Sequence, residues 1–199
     1  MKLFSWLFTA VLVVLLACVL LARTISAGFG GMGVQNGDWV TNVSAGSADA
    51  GVMLRATVAV GGLLASTRED SIYYRLNNVA GEPLRLNCRY RITGNDYDAD
   101  WWSITAYGWD NFLIPNRLKR YAFNNENISR REDGSWVIHL SAEEQSENWL
   151  PTGPAGAPAW RQVTNYDFDL LLRLYTPGRA YIETPVSAPL PKVTLEGCS

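Results

Sequence analysis

The chain is poor in the residues that most often build a reaction centre. Its 199 residues include one histidine, His139, and three cysteines. Zinc sites draw their ligands mainly from these two types, at close spacing, and no such group occurs in the sequence. No Gly-x-Ser-x-Gly elbow is present to hold a nucleophilic serine. Charge is scarce as well. Only 18% of residues are charged, the formal net charge is −2, and no block of Lys and Arg appears. A nucleic-acid partner needs a positive surface to neutralise phosphates, so that class is set aside. The run Gly28-Phe29-Gly30-Gly31-Met32-Gly33 follows no strand and precedes no Lys-Ser or Lys-Thr. It reads as a spacer rather than a phosphate loop, and no cofactor is expected.

What the chain does have is apolar residues, 48% of the total, enough for one domain with a single core. Eighteen of them lie in one uncharged run of twenty residues, Leu3 to Ala22, between Lys2 and Arg23. As a helix this run reaches about 30 Å, the thickness of the hydrocarbon core, so the lipid bilayer is its expected partner. The free amino group and Lys2 favour an N-terminus inside the cell. Three readings stay open. They are an uncleaved signal anchor, a signal peptide cut after Ile25-Ser26-Ala27, and a lipoprotein signal at Leu15-Leu16-Ala17-Cys18. All three export the remainder. The expected division is a membrane segment over 1–27, a Gly/Ser-rich linker over 28–48 and a β domain over 49–199.

Export changes how the cysteines read. Cys18 faces lipid, which leaves Cys88 and Cys198 for an oxidising compartment, where two thiols tend to pair. The alternative is two unrelated thiols. A bridge would close a loop of roughly 110 residues and contribute about 4–5 kcal/mol by the chain-entropy model.

Periodicity then gives the elements. Val52 to Ala65 is helical, with Val52, Ala56, Val60 and Leu63 on one stripe and Asp49 placed to cap it. Ile72 to Leu76 is a strand, and Ala80-Gly81-Glu82-Pro83 a turn. Leu84, Leu86, Cys88, Tyr90 and Ile92 alternate with polar residues, so one face is buried and Cys88 points inward. Trp101 to Gly108 and Phe112 to Ile114 form a hairpin, and Tyr121 to Phe123 a short extended piece. Asp133-Gly134 turns into a strand with Trp136, Ile138 and Leu140 on one face. Pro151 to Pro158 is a loop. Phe168 to Tyr175 is a near-continuous apolar strand, expected to be central and covered on both faces. Six or seven strands with one short helix at the start give a mainly β fold. The expectation is an antiparallel β sandwich of jelly-roll type, preceded by a transmembrane helix.

Several of these segments, in this order, resemble one family. They are Arg55-Ala56, Tyr73-Tyr74, Gly81-Glu82-Pro83-Leu84, Tyr90-Arg91-Ile92-Thr93-Gly94, Trp101 to Tyr107, Leu113-Ile114-Pro115-Asn116, Asn148-Trp149-Leu150-Pro151 and Leu172 to Pro177. The chain resembles the domain of unknown function 1214 (DUF 1214) from about Asp38 to Pro191. The resemblance implies a bacterial envelope protein with a jelly-roll-like domain, here on the periplasmic side of the inner membrane. Longer relatives carry a second domain, and a membrane anchor stands in its place here. The family supplies no established catalytic residues.

The candidate chemistries differ in strength. His139 lies opposite Trp136, Ile138 and Leu140 and reads as a solvated strand residue. Asp96, Asp98 and Asp100 offer oxygen ligands for calcium but lack the glycine and distal glutamate of an EF-hand, so an exposed acidic turn is the plainer reading. Glu143, Glu144 and Glu147 include a possible acid and base for cleaving envelope carbohydrate, or form a polar turn of helix. The aromatic strand is the better candidate. Trp102, Ile104 and Ala106 share a core-like face, while Trp101, Ser103, Thr105 and Tyr107 mix rings with hydroxyls on the other. Such a face suits a glycan, an amphipathic ligand or an envelope protein, unless protein covers it. The expected role is a non-catalytic binding domain of the cell envelope. A hydrolase of envelope carbohydrate and a scaffold subunit of a membrane complex are the alternatives.

Overall fold

A computed structural model describes residues 2–26, 33–60, 65–152 and 167–198. Gly28 to Met32 of the expected spacer, Leu63 of the expected helix and most of the Pro151 to Pro158 loop fall outside the described residues. The first helix, α1 (Lys2–Ser26), contains an 18-residue apolar stretch, Trp6–Arg23, with a mean hydropathy of 2.5. Among the described residues it is the one helix long and apolar enough to cross a membrane. It has the length and composition of a signal anchor or a signal peptide.

Two antiparallel sheets form the body of the fold. One has six strands, in the order β1 (Val34–Asn36), β2 (Trp39–Thr41), β3 (Ser71–Leu76), β11 (Phe168–Pro177), β7 (Ala99–Gly108) and β8 (Ala122–Asn124). The other has four, in the order β10 (Trp149–Pro151), β9 (Trp136–Ser141), β6 (Cys88–Gly94) and β12 (Lys192–Cys198). A small ribbon joins β4 (Asn78–Val79) to β5 (Glu82–Pro83). The helices α2 (Val52–Val60) and α3 (Arg179–Glu183) are short. The fold is therefore mainly β and sandwich-like, with one departure from the expected antiparallel order: β10 runs parallel to β9.

Alternation along the strands makes the core. Tyr74, Leu76, Trp102, Ile104, Leu170, Leu172 and Leu174 come from the first sheet. Tyr90, Ile92, Trp136, Ile138 and Leu140 come from the second. Full burial of one such side chain is worth about 1.5–3 kcal/mol. Trp102 stacks on Trp136 across the interface, with ring centroids 5.2 Å apart. Gly94, opposite Trp136 in the ladder, makes room for that ring: a Cβ there would lie 2.5 Å from it. Asp96 receives the Trp102 indole N–H at 3.2 Å.

Cys88 and Cys198 form a disulfide between directly opposed residues of β6 and β12, as expected from export and count. Cys88 is buried and Cys198 is exposed.

Three local expectations need correction. Residues 34–41, assigned to the linker, form the β1–β2 hairpin around Gly37, whose φ of 61° suits a two-residue turn. Trp39 anchors this hairpin in the core and donates to Pro191 O at 2.8 Å, and Asn36 donates to Pro185 O and Ala188 O. In α2, Val52 and Val60 are 86% and 67% exposed, and the buried residues are Leu54 and Thr57. The helix begins after Gly51, too late for Asp49 to cap it. In the expected hairpin after β7, only a single bridge joins Tyr107 to Leu113. The ladder partner of β7 on that side is β8, because the intervening loop runs on to residue 121 before turning back.

Candidate functional site

The strand β11 is central, as its apolar density predicts, but its two faces differ. Phe168, Leu170, Leu172 and Leu174 point into the core. Asp169, Leu171, Arg173 and Tyr175 point outward, and their register partners share that outer face. Tyr175 lies opposite Trp101. Arg173 lies between Tyr73 and Ser103. Leu171 lies between Arg75 and Thr105, and Asp169 opposite Tyr107. The outer face of the six-stranded sheet is thus a field of four rings around two guanidiniums and one carboxylate.

The four residues expected from the aromatic strand all belong to this face, at two depths. Trp101 and Tyr107 are half-buried at its surface, whereas Ser103 and Thr105 are 3% and 4% exposed beneath it. Both therefore lie below the contact surface, and the Thr105 hydroxyl acts as a support. Thr105 Oγ1 accepts from Arg173 Nη1 at 3.0 Å, and the Tyr107 hydroxyl accepts from Arg173 Nη2. The Arg173 guanidinium also lies over the Tyr107 ring, 5.3 Å from its centroid. Trp101 meets Tyr175 edge to face at 5.5 Å.

The charged members balance one another. Asp169 is buried and accepts from Arg75, which also donates to Asn111 Oδ1 at 3.1 Å. Burial pushes the Asp169 carboxyl above its ordinary value, outweighing the opposite pull of Arg75 and Arg173. Burial, with Tyr73 beside it, likewise raises the Tyr175 phenol. Two cations and one anion leave the face with one net positive charge. A guanidinium has five N–H donors, so Arg173 retains donors beyond the two bonds to Thr105 and Tyr107.

Sequence reasoning missed Asp169, Arg173, Tyr175, Tyr73 and Arg75. A signal existed. In the run from Phe168 to Tyr175, Asp169, Arg173 and Tyr175 fall on alternate positions, which assigns them one face. Apolar density concealed that pattern.

The other candidates are dispersed. Asp96 pairs with Arg130 at 2.8 Å, and that bond holds its carboxyl below the ordinary range. Asp98 O accepts from Gly178 N on a different connection. No group of three metal-ligating side chains occurs among the described residues. Glu143 and Glu144 are exposed and face Arg89 and Arg117 at 3.9 and 3.0 Å. His139 is half-buried at the β9–β10 pairing, opposite Trp149. A separate cleft of about 310 Å³ opens at the end of the four-stranded sheet, where Asn95, Tyr97, Trp136 and Leu190 contribute to its lining. Asp96, its acidic member, is already held by Arg130.

A solved structure of another protein shares this architecture. The crystal structure of the VPA0106 protein from Vibrio parahaemolyticus superposes with a TM-score of 0.58 at 21% identity, over 75% of this chain and 36% of that one. The crystal structure of a putative uncharacterized protein from Burkholderia cenocepacia gives 0.43 at 16% identity, over 90% of this chain and 41% of that one. The chain thus spans well under half the length of these two structures. No curated protein matches it in sequence. Residues 69–179, which run from the turn before β3 to the start of α3 and hold nearly the whole outer face, match the family model described as protein of unknown function (DUF1214), and the chain belongs to that family.

Proposed function

We propose that this protein is a membrane-tethered, non-catalytic module of the bacterial cell envelope. Its β domain stands on the periplasmic side of the inner membrane and binds a glycan or another amphipathic ligand on the outer face of the six-stranded sheet. The arrangement around Arg173 carries the reading. A cation fixed from below by Thr105 and Tyr107, with Trp101, Tyr107 and Tyr175 beside it, offers apolar ring faces and charged donors together. Rings stack on the apolar side of a sugar or acyl chain, and the guanidinium takes a carboxylate or phosphate. The apolar α1 and the Cys88–Cys198 bridge support export and tethering. A hydrolase built on Glu143 and Glu144 finds less support, because both are solvated and paired with arginines.

The test is a binding screen of the full chain in detergent against envelope glycans and phospholipids, repeated with Trp101→Ala and Tyr107→Ala. Loss of one stacked ring should weaken binding by about 1–1.5 kcal/mol, roughly tenfold. Tyr107→Ala should cost more, because it also frees Arg173. Affinity unchanged in both variants refutes the site.

A further inference from the structure

We propose that the loop between β7 and β8, residues 109–121, docks on the bilayer surface and that its partner there is the anionic lipid headgroup. The proposal rests on the tethering part of the preceding reading. Outside α1, eight large apolar side chains are exposed among the described residues, and three of them, Phe112, Leu113 and Leu118, lie on this one loop. Phe112 is 73% exposed. The same loop exposes three cations, Arg117, Lys119 and Arg120. Apolar tips interleaved with cations match a membrane interface, where the tips enter the acyl boundary and the cations meet phosphates.

The exposure is built into the loop. Ile114 is buried and pins its middle. Asn116 Nδ2 donates to Ile114 O and Arg120 O, and its Oδ1 accepts from Arg120 N. Arg120 donates to Trp149 O at 3.0 Å and lies over the Phe123 ring. The loop is thus held in a shape that leaves Phe112, Leu113 and Leu118 in water. Two carboxylates oppose the cations. Asp110 caps the Phe112 N–H, and Glu144 pairs with Arg117. Lys119 forms none of the ion pairs found among the described residues.

Reach favours the bilayer over a soluble partner. From Ser26, the end of α1, to Val34, the start of β1, the chain advances eight residues. Fully extended, that spans at most roughly 30 Å. A short tether of this kind holds the domain at a high effective concentration beside the membrane, so a weak surface contact suffices.

The experiment places the full chain, with Cys18→Ala and Phe112→Cys carrying an environment-sensitive NBD fluorophore, in nanodiscs. One set contains phosphatidylglycerol and a second contains only zwitterionic lipid. A label at Val186→Cys, another exposed site, controls for the dye's own affinity for lipid. The expected result is a blue shift and slowed reduction by dithionite at position 112, in anionic discs and not at position 186. Lys119→Gln should lower the ratio of docked to undocked chain about fivefold, the contribution of one basic residue near an anionic surface. A label at 112 as accessible as that at 186 overturns the docking. Shielding that is equal in zwitterionic discs, or unmoved by Lys119→Gln, overturns the headgroup as partner and leaves a protein contact in its place. Alkaline extraction reports α1 separately. If the chain extracts, the tether reading fails, and the same labelled chain mixed with anionic vesicles decides the docking alone.

Discussion

Removing the Cys88–Cys198 bridge should cost this domain a large part of its stability. The perturbation is Cys88→Ala with Cys198→Ala, which avoids placing a hydroxyl in the buried Cys88 position. The two residues are 110 apart in sequence, so the bridge closes almost the whole distance from β6 to the end of the chain. The chain-entropy relation gives about 4.8 kcal/mol for a loop of that length. Apart from its ladder with β6, the terminal strand has little burial to hold it. In β12 only Val193 is buried, a bulge interrupts the ladder between Leu195 and Gly197, and Glu196 makes an ion pair with Arg91. An exposed ion pair adds at most about 1 kcal/mol. Once the bridge is gone, the end of the strand beyond the bulge is held by the β6 ladder alone. The assay is denaturant unfolding of the full chain in detergent, oxidised wild type against the double variant. The midpoint should fall by the equivalent of about 4–5 kcal/mol. The slope should rise, because an unbridged chain exposes more surface when unfolded. Amides of β12 should exchange faster than those of β9. A loss below about 1 kcal/mol would refute the reasoning, since the unfolded ensemble would then not be confined by the bridge as the entropy argument requires.

Two further outcomes follow from the core and the outer face. Asp169 has a raised folded-state value, so its contribution to stability is complete below the ordinary aspartate range and is lost as pH rises through the raised value. Relative to Asp169→Asn, wild type should lose stability as pH climbs from about 4 and level off above that window; pH-dependent denaturation of both proteins checks this, and a relative gain would reverse the assignment. Gly94→Ala should cost about 1–3 kcal/mol, because its Cβ meets the rigid Trp136 ring at 2.5 Å; thermal unfolding of the variant measures it, and an unchanged midpoint would mean the ring yields freely.

The parts of this fold that were legible in the sequence are those set by period-2 alternation. Cys88, Tyr90 and Ile92 announced their buried face, and Trp102, Ile104 and Ala106 announced theirs, because a strand's side chains alternate regardless of its neighbours; Leu84 and Leu86, read as part of the same strand, lie before it, Leu86 in a turn. The disulfide was legible from compartment and count. Its cross-strand placement was not, because register depends on which strand the C-terminus reaches. The β1–β2 hairpin escaped notice because each strand has only three residues, and its one strong signal, Trp39, is buried by residues near 190. The face of α2 was misassigned because nine residues make too short a window for a helical stripe. On the outer face, Trp101 and Tyr107 were found from their own strand. Arg173 and Asp169 were not, since the chemistry of a sheet face is shared across strands that lie far apart in sequence.

The position of β11 has a consequence for how the chain acquires its shape. The strands β3 and β7 both pair with β11 and not with each other, and β11 begins at residue 168. A chain emerging from the ribosome N-terminus first therefore carries two unjoined halves of a sheet for most of its synthesis. The β1–β2 hairpin waits longer, until residues 185–191 arrive to receive Asn36 and Trp39. The four-stranded sheet gains its last strand at residues 192–198. Little of the native core can be stable before translation is almost finished, so any chain truncated before β11 is a target for chaperones and proteases rather than a smaller working domain.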